Sequence, residues 1–450
     1  MLRVVYVALT YLVAPFVMAH DAWQAVRHAE HRGRLAQRLG HVERCRGAGA
    51  IWIHAVSVGE VQAAAGLVHA LRRRHPQLPI VISTVTPTGA QRARTLFRDD
   101  VQHCYLPYDL PGAVHRFLDR VSPQVAVILE TEIWPTLYAE LGRRRIPLVL
   151  GSARLSARSV DRYRRLSSLL RDTLSGGIVI GAQTATDADR FRQIGAASAR
   201  VHVTGNIKYD LEIPASQVDA GRALRRRWGE ARPVWIAGST HEGEEDAALA
   251  AHALVRARLP AALLLLVPRH PQRFDAVRAL LRRRGTGFAQ RSAGELPGAD
   301  DDVFLVDTLG ELQAFYAASD VAFVGGSLVP IGGHSLLEPA VLGLPILSGP
   351  HTHNGQDIAE LLGQSGALEL VRDREALARA LLTWLEAPSL AHAAGESGRR
   401  AVAANRGAVD RLVAMIEPLL SRPAVSVAAA EAGSSTASTG DAPPGASSGT

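Results

Sequence analysis

The chain has 450 residues, of which 47% are hydrophobic and 21% are charged. Most of it can therefore bury a core, and a wholly disordered protein is excluded. At roughly 150 residues per domain, this length predicts two large domains or about three smaller ones. The two cysteines, Cys45 and Cys104, exclude a disulfide scaffold and a four-cysteine zinc site, and they suit a reducing compartment.

The net charge is +7, and the basic residues are 49 arginines and a single lysine, Lys208. Arginine triplets at 72–74, 143–145, 225–227 and 282–284 each close an apolar helical pattern. Cations at that end complement the helix dipole, which favours a structural role for much of the basic charge. Attraction to a membrane surface is the second interpretation, and no nucleic-acid partner is predicted.

The first segment to interpret is Val4–Ala19, an uncharged run that would form a helix of about 24 Å, shorter than the ~30 Å hydrocarbon core. It suits an N-terminal anchor or in-plane helix, a signal peptide cleaved after Ala19, or a buried core helix. Arginines after the run favour the anchor, over residues 1–30, with the rest of the chain on the cytoplasmic side. These arginines are Arg27, Arg32, Arg34 and Arg38.

The region between the two ends alternates short apolar runs with helical patterns, as βαβ units require. The runs lack period-two alternation, which is typical of parallel strands covered on both faces. We therefore predict an α/β protein with two Rossmann-like, doubly wound domains that face a cleft. The predicted strands are Ile51–His54, Ile80–Ser83, Val125–Leu129, Leu148–Leu150, Ile178–Ala182, Val234–Ala237, Ala262–Val267, Val303–Val306, Val321–Val324 and Pro345–Leu347.

Composition divides the chain further. The first domain is predicted over 31–210 and the second over 232–398, with a polar linker at 211–231 because that stretch lacks a strand. A C-terminal helix is predicted over 399–421. The tail, 422–450, is rich in Ala, Ser, Thr, Gly and Pro, and is predicted to be disordered.

Ligands of doubly wound domains bind beyond the carboxyl ends of the strands, so the loops there carry the candidate site residues. Glu60 follows the first strand in Ser57-Val-Gly-Glu60, which fits either a capping box or a general base at the lip of the cleft. Glu130 and Glu132 follow the third predicted strand, and we expect at least one of them to be functional. Lys208 is a candidate because it is an outlier in composition.

The second half offers groups suited to an anionic nucleotide. Arg269 ends a buried strand, where a cation suits a phosphate. The helix start at Asp307–Glu311 suits an anion or a ribose, and the turn Gly325-Gly326-Ser327 could bring backbone N–H groups to a phosphate. Glu338 could bind ribose hydroxyls, or it could simply be a helix-start carboxylate.

Two metal-like patterns are not interpreted as metal sites. Asp300–Asp302 resembles an Asp-x-Asp motif, but it precedes a strand and so lies at the wrong edge of the sheet, in a solvated loop. None of the 17 histidines forms a His-x-x-x-His pair with a third ligand. No metal is predicted.

A series of motifs resembles the bacterial 3-deoxy-D-manno-octulosonic acid (Kdo) transferases, from Met1 to about Pro418. In chain order they are HAVSVGE, TPTGAQRA, YLPYDLP, ETEIWP, ARLSARS, GSTHEGEE, VPRHPQRF, FVGGSL, GGHSLLEP and GPHTHN. The resemblance implies a glycosyltransferase fold of the B type. It also implies transfer of Kdo from CMP-Kdo to the lipid A precursor, at the cytoplasmic face of the inner membrane, with no further cofactor.

The resemblance also implies roles for single residues. Glu60 matches the catalytic base, and Glu130 and Lys208 match positions that stabilise the transition state. The segments matching the CMP contacts are Pro268-Arg269, Leu309-Gly310-Glu311 and Ser335-Leu336-Leu337-Glu338. The chain departs from the family pattern at Ser335, where Asn is usual, and at His353 and Gly355, where aromatic residues usually flank Asn354. The first departure concerns one nucleotide hydrogen bond, and the second concerns the packing near the donor or acceptor.

Two alternatives remain open at this stage. A secreted, two-lobed solute-binding protein requires cleavage of the first 19 residues. A soluble nucleotide-sugar epimerase of the same fold needs no membrane anchor and acts on a free UDP-sugar.

Overall fold

The computed structural model describes residues 2–27, 33–47, 49–164, 173–174 and 177–420. The predicted disordered tail at 422–450 lies outside these residues.

The first domain is built on a seven-stranded parallel sheet in the order β3-β2-β1-β4-β5-β6-β7. Its strands are β1 (Ala50–His54), β2 (Ile80–Thr84), β3 (Gln102–Tyr105), β4 (Pro123–Leu129), β5 (Leu148–Ala153), β6 (Val179–Ala182) and β7 (Val201–Val203). The helices up to its end are α1 (Leu2–Arg27), α2 (Arg34–Arg38), α3 (Val58–Arg74), α4 (Pro87–Phe97), α5 (Pro111–Val121), α6 (Pro135–Arg143), α7 (Ala157–Arg164) and α8 (Ala185–Gln193).

The second domain repeats this plan with the order β10-β11-β9-β8-β12-β13-β14. Its strands are β8 (Val234–Thr240), β9 (Leu263–Pro268), β10 (Phe288–Gln290), β11 (Val303–Leu305), β12 (Val321–Val324), β13 (Ile346–Ser348) and β14 (Leu368–Leu370). Its helices are α9 (Ala215–Trp228), α10 (Glu244–Arg256), α11 (Phe274–Arg284), α12 (Leu312–Ala317), α13 (Leu337–Val341), α14 (Gln356–Gln364), α15 (Arg374–Leu385) and α16 (Pro388–Ala404). The prediction of two doubly wound domains is confirmed.

All ten predicted strands are present, and the four strands that sequence reasoning missed are the sheet edges. These are β3, β7, β10 and β14. A central strand such as β1 is buried at every position and reads as an apolar run. An edge strand such as β14, Leu-Glu-Leu, is buried at only one of its three positions, so its sequence lacks that signal.

The predicted linker belongs to the second domain. Most of it is α9, which packs against α12. Trp228 at its end is buried and lies edge-on to Phe304, with ring centroids 5.8 Å apart. The polar composition and the lack of a strand had predicted a linker at 211–231, but most of this stretch is a helix packed on the second domain.

The C-terminal segment also divides differently from the prediction of one helix over 399–421. Residues up to Ala404 complete α16 on the second domain, and the chain then returns to the first domain as α17 (Ala408–Leu420). Leu412 packs against the first sheet, and a Cβ at Gly151 would lie 2.8 Å from its side chain. Asp210 caps α17 by accepting the backbone N–H of Gly407 at 2.6 Å. The two domains are thus joined by two chain crossings.

Helix α1 lies along the first domain. The Tyr6 hydroxyl donates to Asp109 at 2.8 Å, and Ala14 and Met18 pack beside Leu110. Its other face is apolar and exposed, for example at Leu12 and Phe16. Within the described ranges, α1 alone is long and apolar enough to cross a membrane, judged by length and composition.

Candidate active site

Residues that follow the carboxyl ends of strands in the two sheets contact each other, and the region between these two edges forms the groove. Across it, the Asn206 amide of the first domain donates to Asp357 of the second at 3.3 Å. Arg154 lies 3.9 Å from the same carboxylate. The predicted cleft is therefore where the two domains meet.

Glu60 lies in the first turn of α3, at the lip of this groove. Its Oε2 accepts the Val56 backbone N–H at 2.8 Å, and its Oε1 accepts the Ser57 hydroxyl at 3.2 Å. This is not the reciprocal capping box, because the Ser57 side chain makes no cap bond to the helix and Glu60 bonds the amide one residue earlier. The pKa of Glu60 is raised to about 7, mainly by burial and to a smaller extent by the charges of Glu130 and Glu132, while the hydrogen bond from Val56 opposes the rise.

Glu130 and Lys208 form an ion pair beside Glu60. The Lys208 ammonium lies 2.6 Å from Glu130 Oε1, and each side chain is about a quarter exposed. Glu130 directly follows β4 with a φ of 58°, in the left-handed region that a residue with a Cβ rarely adopts. Lys208 projects from a single turn of 3-10 helix, Ile207–Asp210, that Asn206 caps. The structure thus brings together the three predicted catalytic residues of the first domain.

Glu132, the other candidate of that loop, is also near this group. Burial raises the pKa of its carboxyl, and Glu130 raises it further. Its backbone carbonyl accepts the hydroxyl of buried Tyr138. Three carboxylates and one ammonium therefore share the first-domain side of the groove, which favours proton transfer at this place.

On the second domain, Arg269 and Glu338 face the groove. Arg269 follows β9, its backbone N–H donates to Thr240 at 3.0 Å, and its guanidinium has no hydrogen-bond or ionic partner in the described part of the chain. Glu338 accepts Gln313 at 3.0 Å. Burial raises the pKa of Glu338, whereas Arg92 of the first domain and Arg269 lower it. Arg92 of the first domain and Arg269 of the second therefore both stabilise the ionised carboxylate of Glu338.

The other residues predicted to contact the nucleotide differ in their exposure and in whether their side chains already have a protein partner. Ser335 and Leu309 are exposed, and Gly310 has a φ of 87° that suits glycine. Glu311 is paired with Arg291 at 2.6 Å, which lowers its pKa, and it also accepts Thr308 at 2.5 Å. The remaining positions are buried, so only their backbones could contact a ligand; they are Pro268, Leu336 and Leu337.

Groups at two of the predicted anion contacts are engaged within the protein. At the start of the segment Asp307–Glu311, the Asp307 carboxylate accepts the backbone N–H of Ser292 at 2.8 Å and its hydroxyl at 2.7 Å. The amides of Gly326 and Ser327 donate to buried Glu244 at 2.6 and 2.9 Å, and Gly325 donates to Gly238. The three amides of this turn therefore donate to acceptors within the protein.

Sequence reasoning missed Glu244. Its carboxylate is fully buried and accepts four backbone amides, from His241, Gly326, Ser327 and Leu328, at 2.6–2.9 Å. The sequence does show an acidic start of α10 after a small-residue turn. It does not show that this carboxylate binds the amides of the turn after β12, about 80 residues further along the chain. Glu244 joins the loops that follow β8 and β12.

Sequence reasoning also missed a cluster of three histidines beside Arg269. Their spacing matches no metal motif, and they follow three different strands. The rings of His241 and His334 are parallel, with centroids 5.1 Å apart, and His270 lies edge-on to His241. Within the ranges described, no group of three His, Cys, Asp or Glu side chains is placed to hold a metal ion.

The architecture is that of the two-domain glycosyltransferases of the B type. UDP-GlcNAc 2-epimerase from Neisseria meningitidis has the same fold, with a TM-score of 0.52 at 14% identity, covering 83% of this chain and all of that one. At this identity the likeness concerns the fold alone.

Sequence likeness identifies the family. Residues 33–211 match the family model described as 3-deoxy-D-manno-octulosonic-acid transferase (kdotransferase). The 3-deoxy-D-manno-octulosonic acid transferase of Haemophilus influenzae is 40% identical over 94% of this chain and all of its own length. That of Bordetella pertussis is 41% identical over 82% of this chain and 87% of its own. The chain belongs to this family of glycosyltransferases.

Proposed function

We propose that the protein transfers Kdo from CMP-Kdo to a lipid A precursor, with inversion at the anomeric carbon. The observation that carries this is Glu60, a carboxyl with a pKa of about 7 at the lip of a groove whose other wall presents Arg269. A base and a cation on opposite walls suit a single displacement. The names of the relatives indicate that the transferred sugar is Kdo.

The proposed reaction needs one proton acceptor. Glu60 takes the proton of an acceptor hydroxyl as its oxygen forms a bond to the anomeric carbon of Kdo. The bond from that carbon to the phosphate oxygen breaks, and its electron pair leaves with CMP. Phosphate is a stable leaving group, so its departure needs positive charge more than a proton donor.

Arg269 supplies that positive charge from the second domain, because its guanidinium makes no hydrogen bond or ion pair within the described ranges. On the first-domain side, the Glu130–Lys208 pair lies beside Glu60. Lys208 stabilises negative charge that develops on the reacting sugar, and Glu130 holds the ammonium in place. Glu338 and the exposed segment around Gly310 bind the nucleoside.

The location proposed is the cytoplasmic face of the inner membrane. Its support is the exposed apolar face of α1, which lies on the same domain as Glu60. A helix with such a face binds the boundary between lipid headgroups and acyl chains. An acceptor carried on acyl chains would thereby remain close to the groove.

The direct test is incubation of the detergent-solubilised protein with CMP-Kdo and tetraacylated lipid A precursor, followed by mass analysis of the lipid. We expect the lipid to gain one or more Kdo residues and CMP to be released in equal amount. Turnover of UDP-GlcNAc without a lipid, together with an unmodified precursor, would instead support the epimerase.

A further inference from the structure

Two of the histidines beside Arg269 are joined by a direct hydrogen bond. His241 Nε2 and His334 Nε2 are 2.8 Å apart. His241 follows β8, and His334 follows the turn after β12. Gly326 packs against both rings, since a Cβ there would lie 3.0 Å from His334 and 3.6 Å from His241. The close approach of the Gly326 backbone therefore restricts the positions of the two rings.

This contact fixes the proton between the rings. Two ring nitrogens at hydrogen-bond distance must hold one hydrogen between them, because two N–H groups would repel and two bare nitrogens would not bond. The pair is neutral when it carries two protons in total. It gains one positive charge when a third proton binds an outer ring nitrogen.

The surroundings of the pair are mostly cationic. Arg269, His270 and Arg273 face it from the loop after β9. Glu244 faces it from α10, but its oxygens accept four backbone amides. Burial, and to a smaller extent the charge of Arg269, lowers the pKa of His334 to about 4. Burial likewise lowers the pKa of His241. The pair is thus uncharged at neutral pH when the groove is empty.

The donor would reverse this balance. CMP-Kdo brings two negative charges, one on its phosphodiester and one on the sugar carboxylate. Of the neighbouring cations, Arg273 is held by Glu245 at 3.2 Å and Lys208 by Glu130 at 2.6 Å. Arg92 donates to Gln62 and faces Glu338. Arg269 also faces Glu338, but alone of these four it makes no side-chain hydrogen bond or ion pair within the described ranges. One negative charge of the donor therefore lacks a counterpart.

We propose that the His241–His334 pair takes up one proton when the nucleotide enters the groove and so becomes a second positive charge beside the phosphate. This inference rests on the proposed function for the identity of the ligand. An anion next to the rings favours their charged form, and linkage then requires that the proton strengthen nucleotide binding equally.

The test is calorimetric titration of the protein with CMP at pH 7.5 in HEPES and in Tris, which differ in ionisation enthalpy. Proton uptake appears as a difference in observed enthalpy between the buffers. We expect measurable uptake, of up to about one proton per CMP, for the wild type, and close to none for the double variant His241→Gln/His334→Gln. His392→Gln, at an exposed position on α16, is the matched control and should behave as the wild type.

A second measurement needs no variant. The affinity of the wild type for CMP should fall as pH rises from 6.5 to 8.5, by up to about tenfold per pH unit. Titration of the CMP phosphate itself, with a pKa of about 6, acts in the opposite direction, because its dianion binds cations better. CMP binding without proton uptake and with a flat pH profile would overturn the role of the pair but leave the proposed function standing. Absence of CMP binding would overturn both.

Discussion

The Lys208 ammonium lies 2.6 Å from the Glu130 carboxylate, although 78 positions separate the two residues in the chain. Glu130 directly follows β4, the central strand of the first sheet, and Lys208 lies beyond β7 at the edge of that sheet. The pair therefore reaches across the carboxyl edge of the sheet and connects its centre to the segment that leads to the second domain.

Replacement of Glu60 by Gln should remove the proposed base and keep the shape of the side chain. General-base catalysis contributes about 10²–10⁴-fold, so we expect kcat to fall by that factor while CMP affinity stays within about twofold. Steady-state rates and CMP titration measure the two effects. Glu369→Gln, on the edge strand β14, is the control. A Glu60→Gln enzyme with near-normal turnover would remove Glu60 from the mechanism.

The pKa of Glu60 also predicts a pH dependence of the rate. Its proposed role needs the ionised carboxylate, and the pKa is about 7. We expect kcat/KM to fall about tenfold per pH unit below that value. A pH–rate profile from pH 5 to 8 tests this, and a profile that is flat down to pH 5 would contradict it.

The same shift predicts the sign of a stability effect. The folded pKa of Glu60 lies above its unfolded value, so the native state binds the proton more tightly. Its favourable contribution is complete below the unfolded pKa near 4.5 and disappears as pH rises through about 7. Glu60→Gln should therefore raise Tm relative to wild type more at pH 8 than at pH 5. An equal change at both values would show that the shift is absent.

Glu130 combines a strained backbone with a proposed role. At a φ of 58°, glycine is favoured over alanine by about 1 kcal/mol. We expect Glu130→Gly to be more stable than Glu130→Ala by that amount in urea unfolding, whereas both variants lose activity to a similar degree. Equal stability of the two would mean that the backbone at this position is not left-handed in solution.

Glu244 should prove structural. Glu244→Gln leaves one carbonyl oxygen for amides that now donate to two carboxylate oxygens, which we expect to cost about 2–3 kcal/mol in the free energy of unfolding. Denaturant unfolding, with Glu369→Gln as the control, measures this. A change below about 0.5 kcal/mol would mean that the turn after β12 finds other acceptors.

The outer face of α1 should bind membranes. Leu12 and Phe16 are 67% and 76% exposed, and burial of each in lipid is worth about 1.5–3 kcal/mol. The double variant Leu12→Asp/Phe16→Asp should lose co-flotation with anionic vesicles. Leu390→Asp, at an exposed position on α16, should still float. Equal flotation of all three proteins would exclude α1 as the membrane-binding element.

The sequence by itself determined the two doubly wound domains, the central strands, the family motifs and the residues at the strand ends. It could do so because buried parallel strands such as β9 are continuous apolar runs and because ligands meet such folds at one edge. The half-exposed edge strands leave no comparable pattern, which is why all four were missed.

Only the tertiary structure decided which of these residues are free to act. Asp307 and the amides after β12 lie at strand ends, where ligand contacts are expected. In the structure, however, Asp307 accepts Ser292, and the amide of Gly326 donates to Glu244. The return of α17 to the first domain and the contact between His241 and His334 likewise join segments far apart in the chain. Local patterns record the propensities of neighbouring residues, whereas such pairings depend on how separate loops pack, and that packing is settled only when both domains have folded.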